Sequence, residues 1–110
     1  QPEGYWTRSM MDPEHAPGPE TSGTAFFTYG MLWGVNNGYL NKKEYKKVID
    51  RAWTYLTETA VQADGKVGYV QPIGERAIPG QIVDANSQAN FGVGAMLLTA
   101  CEYDKYLAIK

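Results

Sequence analysis

The chain has 110 residues, 44% of them apolar and 20% charged, which is enough material for one hydrophobic core and sets the expectation of a single domain over residues 1–110. Its formal charge is −2, and Lys42, Lys43, Lys46 and Lys47 are confined to one short segment, so the broad basic surface that nucleic-acid binding needs is absent. The longest apolar run, within residues 25–35, is shorter than the roughly 20 residues of a bilayer span and is broken by glycine, so no membrane span is expected there.

Residues 1–20 carry Pro2, Pro13, Pro17 and Pro19, which forbid a long helix and predict an irregular, ordered arm. Within it, residues 5–11 read as a short strand, with Trp6 as a packing anchor rather than a sugar platform. The opening QPEGYW lacks the charged and apolar regions of a secretory signal, which was either removed or never present. His15 is the only histidine, so no imidazole pair for a metal exists, and a Ser-His-Asp arrangement would have to be built in this arm.

From Glu20 to Asn37 apolar residues fall on nearly every side, which predicts a helix surrounded by protein. Thr21 or Ser22 is placed to cap its start, Glu20 sits near the positive end of the dipole, and Asn36-Asn37-Gly38 is the stop. Gly23, Phe27, Gly30 and Gly34 share one stripe, which predicts close approach of another backbone. Asn41 and Glu44 form a capping box for a second helix, Lys42 to about Ala63. Tyr45, Val48, Ile49, Ala52, Trp53, Leu56 and Ala60 make its apolar stripe, and its other face is wet.

Asp64-Gly65 signals a turn, with a short strand, residues 66–70, behind it. Residues 71–85, with Pro72, Gly74, Pro79 and Gly80, form a loop long enough to suggest function. Asp84, Asn86 and Ser87 are each able to cap a last helix running to about Leu107, in which Gly92 and Gly94 again invite close packing. Cys101 is alone within it, which removes a disulfide framework and a zinc cluster, and as a buried thiol it leaves the compartment open.

The fold class is therefore all-α, with three long helices in the order inner, outer, inner and a short β-hairpin-like segment. Phe26, Phe27, Trp33, Trp53, Leu56, Met96 and Leu97 are expected to be buried between them. Three helices cannot surround two that are apolar all round, so the chain is expected to be a piece of something larger or an obligate oligomer. No nucleotide-binding glycine pattern follows a strand and opens a helix. Glu20 and Asp84, each at a helix mouth, read either as a carboxylate pair for glycoside chemistry or simply as acids favoured by the helix dipole.

The strings PETSGTAFFTYG-x-x-WG-x-NNG-x-L, AW about a dozen residues on, DGKVGYVQPIG and FGVGA-x-LL-x-x-CE together resemble the C-terminal part of the unsaturated rhamnogalacturonyl hydrolases, glycoside hydrolase family 105. They are similar, more distantly, to the unsaturated glucuronyl hydrolases of family 88. The likeness runs from Trp6 to Tyr103. It implies the C-terminal portion of an (α/α)6 barrel, no cofactor, and an oligosaccharide substrate bearing an unsaturated uronic acid. It also implies a reaction in which an aspartate protonates the C4=C5 bond, water adds at C5, and the hemiketal collapses.

No segment matches the motifs around that aspartate, so the role does not pass to Asp12, Asp64 or Asp84, and the catalytic residue is expected outside this chain. What the segment would supply is pocket wall: Glu20, Thr21 and Ser22 at the start of an inner helix, Tyr69 and Gln71 on a rim loop, and Asn86, Ser87 and Asn90 ahead of the last helix. Capping and loop closure are the competing roles for the same residues. DANSQANFGVGA stands where relatives are more acidic, which leaves linkage open. A non-catalytic helical module that binds carbohydrate or protein is the second reading; an open reading frame continuing upstream of Gln1 favours the first, and a start codon directly before Gln1 the second.

Overall fold

The computed structural model describes residues 1–74 and 76–110. Glu75, inside the expected loop of residues 71–85, lies outside the described residues. Three α-helices dominate: α1, Thr21–Asn36; α2, Lys42–Tyr55; and α3, Asn90–Leu107. The second does not run on as regular helix. A π-helical turn, Leu56–Ala60, ends it, with the Val61 amide donating to the Leu56 carbonyl at 2.9 Å.

The starts differ from the sequence expectation in two places. Helix α1 is capped by Glu20, whose side chain accepts from the Ser22 and Gly23 amides, while Thr21 and Ser22 lie inside the helix. A glutamate at this position reaches the free amides and brings a negative charge to the positive dipole end. Helix α3 begins after Ala89 with no side-chain cap, because Asp84, Asn86 and Ser87 are consumed by their own turn two residues too early. Asn41 does cap α2, accepting from the Lys43 and Glu44 amides.

Helices α1 and α3 run parallel: Thr99 near mid-α3 donates to the Ala25 carbonyl, and Asn36 at the end of α1 donates to Glu102 further along. Helix α2 returns antiparallel, since its end meets the start of α1 through Tyr55 and Thr21, and its start meets the end of α3 through Lys42 and the Tyr106 carbonyl. Two apolar clusters hold the layers. One gathers Ala25, Tyr55, Leu56, Val67, Val70 and Met96; the other gathers Leu32, Val35, Ile49 and Tyr106.

The expected strands reduce to one antiparallel bridge, Val61 with Val67, closed around the Asp64-Gly65 turn, where Gly65 has φ +87°. Residues 5–11 form no strand; their arm is tied down instead by the Trp6 amide donating to Thr24 Oγ1 and by the tilted packing of Trp6 on Phe27. Cys101 is exposed rather than buried.

The expected core also needs correction. Leu56 and Met96 are buried and Trp53 is half-buried, but Phe26, Phe27, Trp33 and Leu97 are exposed, at 48, 40, 43 and 62%. The reason lies in what α1 and α3 offer each other: Ala25, Thr28, Ala95 and Thr99 are fully or almost fully buried, so small residues fill the inner contact and the large ones turn away. Glycine does not bring the backbones together as expected. Space beside Gly30 and Gly94 is empty, whereas Gly34 and Gly92 receive the side chains of Leu40 and Val70.

Candidate functional site

The parallel course of α1 and α3 puts both helix starts at one end of the molecule, where residues 61–90 cross. Glu20 is 2% exposed there and both its carboxylate oxygens are engaged. Oε1 accepts from the Ser22 amide at 3.1 Å, the Ser22 hydroxyl at 2.6 Å and the Gln71 amide at 3.0 Å, and Oε2 accepts from the Gly23 amide at 2.6 Å. The carboxylate therefore joins the start of α1 to the loop that follows the bridge. Such charge-assisted bonds to amides are among the stronger ones in proteins.

Thr21 is fully buried beside it. Its amide donates to the Tyr69 carbonyl at 2.8 Å and its hydroxyl donates to the Gly68 carbonyl at 2.6 Å. That single hydroxyl proton is then spent, so the 2.8 Å bond to Tyr55 has the Tyr55 phenol as donor. Burial, more than any neighbouring charge, pushes the Tyr55 phenol far above its ordinary value and keeps it protonated.

Tyr69 is the one residue besides glycine with positive φ among the described residues, at +60°. A bulky side chain in the left-handed region is strained by about 1–3 kcal/mol and persists only when its surroundings fix it. Here its amide donates to the Asp84 carbonyl at 2.8 Å, and its carbonyl holds the Thr21 amide. Gln71 follows, its amide on Glu20 and its side chain half-buried.

Asp84 to Ser87 form a closed turn. The Asp84 amide donates to Ser87 Oγ, the Ser87 amide to the Asp84 carbonyl, and the Asn86 amide to Asp84 Oδ1, all at 2.9 Å. Asn86 Oδ1 also accepts from Lys66 at 3.2 Å. Asn90, the first residue of α3, is exposed. The turn is sewn to the rest of this end by the Val70 amide on the Ser87 carbonyl at 3.0 Å and Gln62 on the Ala85 carbonyl at 2.7 Å. The structure therefore brings all eight expected residues to one end. It buries Glu20, Thr21 and Ser22, and leaves Tyr69, Gln71, Asn86, Ser87 and Asn90 partly or fully open.

Sequence reasoning missed a cavity of about 240 Å³ next to Gln71, lined also by Arg8, Arg76 and Gln81. Arg8 Nη1 donates to Gln81 Oε1 at 2.9 Å and Nη2 to the Gln81 carbonyl at 3.1 Å. Nothing in the local spacing of Arg8 points across 73 positions to Gln81. Among the described residues no group of three or more His, Cys, Asp or Glu is arranged to hold a metal, and no helix is long and apolar enough to cross a membrane.

The model of glycosyl hydrolase family 88 matches residues 1–107. The chain belongs to glycosyl hydrolase family 88. It is one of the two related families that its motifs resemble. Among solved structures, glycosyl hydrolase family 88 from Bacteroides vulgatus is 68% identical, with a TM-score of 0.91 over 96% of this chain and 30% of that one. Another, described as a polysaccharide lyase, is 71% identical, with a TM-score of 0.90 over 97% of this chain and 30% of that one.

Two curated relatives carry the name unsaturated 3S-rhamnoglycuronyl hydrolase. The one from Alteromonas sp. (strain LOR) is 44% identical over 91% of this chain and 23% of its own length. The one from Formosa agariphila is 39% identical over 91% of this chain and 26% of its own length. The chain thus spans about a quarter of the curated relatives it matches. Its all-α inner, outer, inner unit is a portion of the α/α barrel of the family 88 proteins.

Proposed function

We propose that this chain is the C-terminal part of a glycosidase that hydrolyses oligosaccharides ending in an unsaturated uronic acid, and that it supplies pocket wall while another part of the polypeptide supplies the proton donor. The observation that carries the second half is the state of Glu20 and Asp84, the two acids that the sequence offers as a carboxylate pair. Glu20 has its oxygens filled by four donors of its own helix and loop, and Asp84 caps its own turn. A proton donor needs an O–H aimed at the substrate carbon, and Glu20 has no free face to offer one.

On this reading Glu20, Thr21 and Ser22 position the rim, and Tyr69, Gln71, Asn86, Ser87 and Asn90 present neutral donors and acceptors to the sugar. The reaction is protonation of the C4=C5 bond, addition of water at C5, and collapse of the hemiketal to free the neighbouring sugar. No cofactor enters that chemistry. The curated relatives' names support the substrate class, since both are unsaturated rhamnoglycuronyl hydrolases.

The structure described as a polysaccharide lyase favours a second reading, in which the whole protein makes the C4=C5 bond by elimination. One assay separates the two. The ultraviolet absorbance of the unsaturated uronate falls when a hydrolase consumes it and rises when a lyase creates it. The complete polypeptide that carries this chain is expected to lower the absorbance of an unsaturated disaccharide, and residues 1–110 alone to leave it unchanged. A rise with a saturated polysaccharide would establish the lyase reading. Binding of the disaccharide without turnover by the complete polypeptide would establish a non-catalytic module. Turnover by the isolated chain, abolished by Glu20→Gln or Asp84→Asn, would move the proton donor into this segment.

A further inference from the structure

We infer that Tyr55, buried on the outer helix α2, is a positioning residue for the sugar pocket: through Thr21 it holds the strained backbone at Tyr69 and so sets where the Tyr69 side chain stands on the rim. This rests on the pocket-wall reading above, in which Tyr69 meets the sugar.

The backbone angles of Tyr69 are fixed by the peptide planes before and after it, and all four polar atoms of those two planes are engaged. In the first plane the Gly68 carbonyl accepts from the Thr21 hydroxyl at 2.6 Å, and the Tyr69 amide donates to the Asp84 carbonyl at 2.8 Å. In the second the Tyr69 carbonyl accepts from the Thr21 amide at 2.8 Å, and the Val70 amide donates to the Ser87 carbonyl at 3.0 Å. Thr21 thus grips a carbonyl on either side of the residue that sits at φ +60°. A tyrosine enters the left-handed region at a cost comparable to what one net hydrogen bond contributes, so losing a single grip shifts the balance toward a relaxed backbone. A glycine would take that φ freely. The strain is therefore accepted for the sake of a side chain, and that of Tyr69 is partly open at this end of the molecule.

Three of the four bonds run between backbone groups. The fourth is made by the Thr21 side chain, and it is the one that another side chain tunes. Tyr55 is 4% exposed and Thr21 is fully buried. The Tyr55 hydroxyl donates to Thr21 Oγ1 at 2.8 Å, which fixes the rotor of the threonine and polarises the O–H that reaches Gly68, so each bond in the chain strengthens the next. The phenol is held in turn by Tyr5, whose ring packs on it at 5.6 Å and 57°. Buried in this way, Tyr55 acts on the sugar through Thr21 and Tyr69 and not by contact.

The test measures kcat and KM of the complete polypeptide on an unsaturated disaccharide for Tyr55→Phe, Tyr69→Gly and the two combined. Tyr55→Phe removes one hydroxyl and keeps the ring that packs on Tyr5, so the variant retains its fold. Its KM is expected to rise about 2–10-fold, the worth of one neutral hydrogen bond, with kcat within about twofold of wild type. In Tyr69→Gly KM also rises, because the ring has left the rim, and adding Tyr55→Phe changes it no further, because glycine needs no holding. A KM for Tyr55→Phe equal to that of the wild type, whatever its Tm, overturns the inference, and so does a rise by the same factor with and without Tyr69→Gly. If the wild type does not turn over the disaccharide, the hydrolase reading fails, and amide hydrogen exchange decides the positioning role by itself. Faster exchange at Thr21, Tyr69 and Val70 in Tyr55→Phe, with Lys43 and Glu44 at the far end of α2 unchanged, supports it, and a uniform change or none overturns it.

Discussion

Replacing Glu20 by Gln separates an acid that does chemistry from one that holds the structure. The wild-type carboxylate takes three donors on Oε1 and the Gly23 amide, at 2.6 Å, on Oε2. An amide placed with its oxygen toward Ser22 and Gln71 turns its NH2 against the Gly23 N–H, so one charge-assisted bond is lost and two donors face each other. Losing a bond to a charged group costs about 1.5–3 kcal/mol. Removing a buried negative charge from a helix start adds up to about 1 kcal/mol. The sum is about 3 kcal/mol, which in a chain of several hundred residues, with an unfolding entropy of about 2.1 cal/mol/K per residue, lowers Tm by about 3–5 °C.

Circular dichroism of the complete polypeptide measures that loss, and amide hydrogen exchange locates it, because the Gln71 amide should lose protection together with those of Ser22 and Gly23. With substrate, kcat is expected to change little once temperature is kept well below the new Tm. A drop in Tm of less than about 2 °C, together with a kcat reduced a hundredfold or more, would refute this reasoning and return Glu20 to the chemistry.

Three further outcomes follow from the packing and charges. A Cβ on Gly92 would lie 2.5 Å from Val70 Cγ2, so Gly92→Ala should destabilise by about 1–3 kcal/mol in urea unfolding and recover with Val70→Ala, whereas Gly94→Ala, with nothing within 4 Å, should gain up to about 1 kcal/mol in the isolated chain. The Asn36 hydrogen bond, followed by Lys105, holds the Glu102 carboxyl below its ordinary value. Because the folded value is the lower one, that stabilisation is complete above about pH 4.3 and is lost as pH falls through the folded value; Asn36→Ala should raise the Glu102 midpoint read by carbon NMR, and an unmoved midpoint would remove the bond from the account. In sedimentation, residues 1–110 alone should self-associate through the exposed faces of α1 and α3, and a stable monomer would count against those faces needing cover.

Helix number, order and direction were legible because they rest on periodicity: a striped α2 between two helices with little polar face. The caps were not, because residue type alone does not choose between Glu20, Thr21 and Ser22. The choice depends on the Gln71 amide arriving from 51 positions away. The buried threonines were also missed. Thr24 and Thr28 donate to carbonyls four residues back, and Thr99 does the same while also reaching Ala25, so hydroxyls that read as polar become fully buried core. Thr24 and Thr28 at i, i+4 within an otherwise apolar helix were the available signal. For the site, the residues that gather at the open end were readable from helix starts, whereas the Arg8 and Gln81 pairing depends on the path of the arm and had no local signature.

The arrangement of large and small residues marks the faces of α1 and α3 that lack cover. In a self-contained three-helix bundle the largest side chains fill the centre. Here the α1–α3 contact is made by Ala25, Thr28, Ala95 and Thr99, and Phe26, Phe27, Trp33, Val93, Leu97 and Leu98 stand between 40 and 62% exposed. Full burial of such a side chain stabilises by about 1.5–3 kcal/mol, so covering the exposed half of six of them is worth on the order of 5–9 kcal/mol. That is comparable to the whole stability of a typical domain, about 5–15 kcal/mol. We propose that neighbouring helices of the barrel, on either side of α1 and α3, supply a layer of that value. The proportions agree: three helices of a twelve-helix barrel are a quarter, and the chain spans 23 and 26% of the curated relatives. The aromatic face of α1 is thus best read as a surface for the preceding inner helix of the same barrel, and restoring that helix in the complete polypeptide should bury Phe26, Phe27 and Trp33 together. Quenching of Trp33 fluorescence by iodide, strong in the isolated chain and abolished in the complete one, is the expected result; equal quenching in both would place the missing barrel elsewhere.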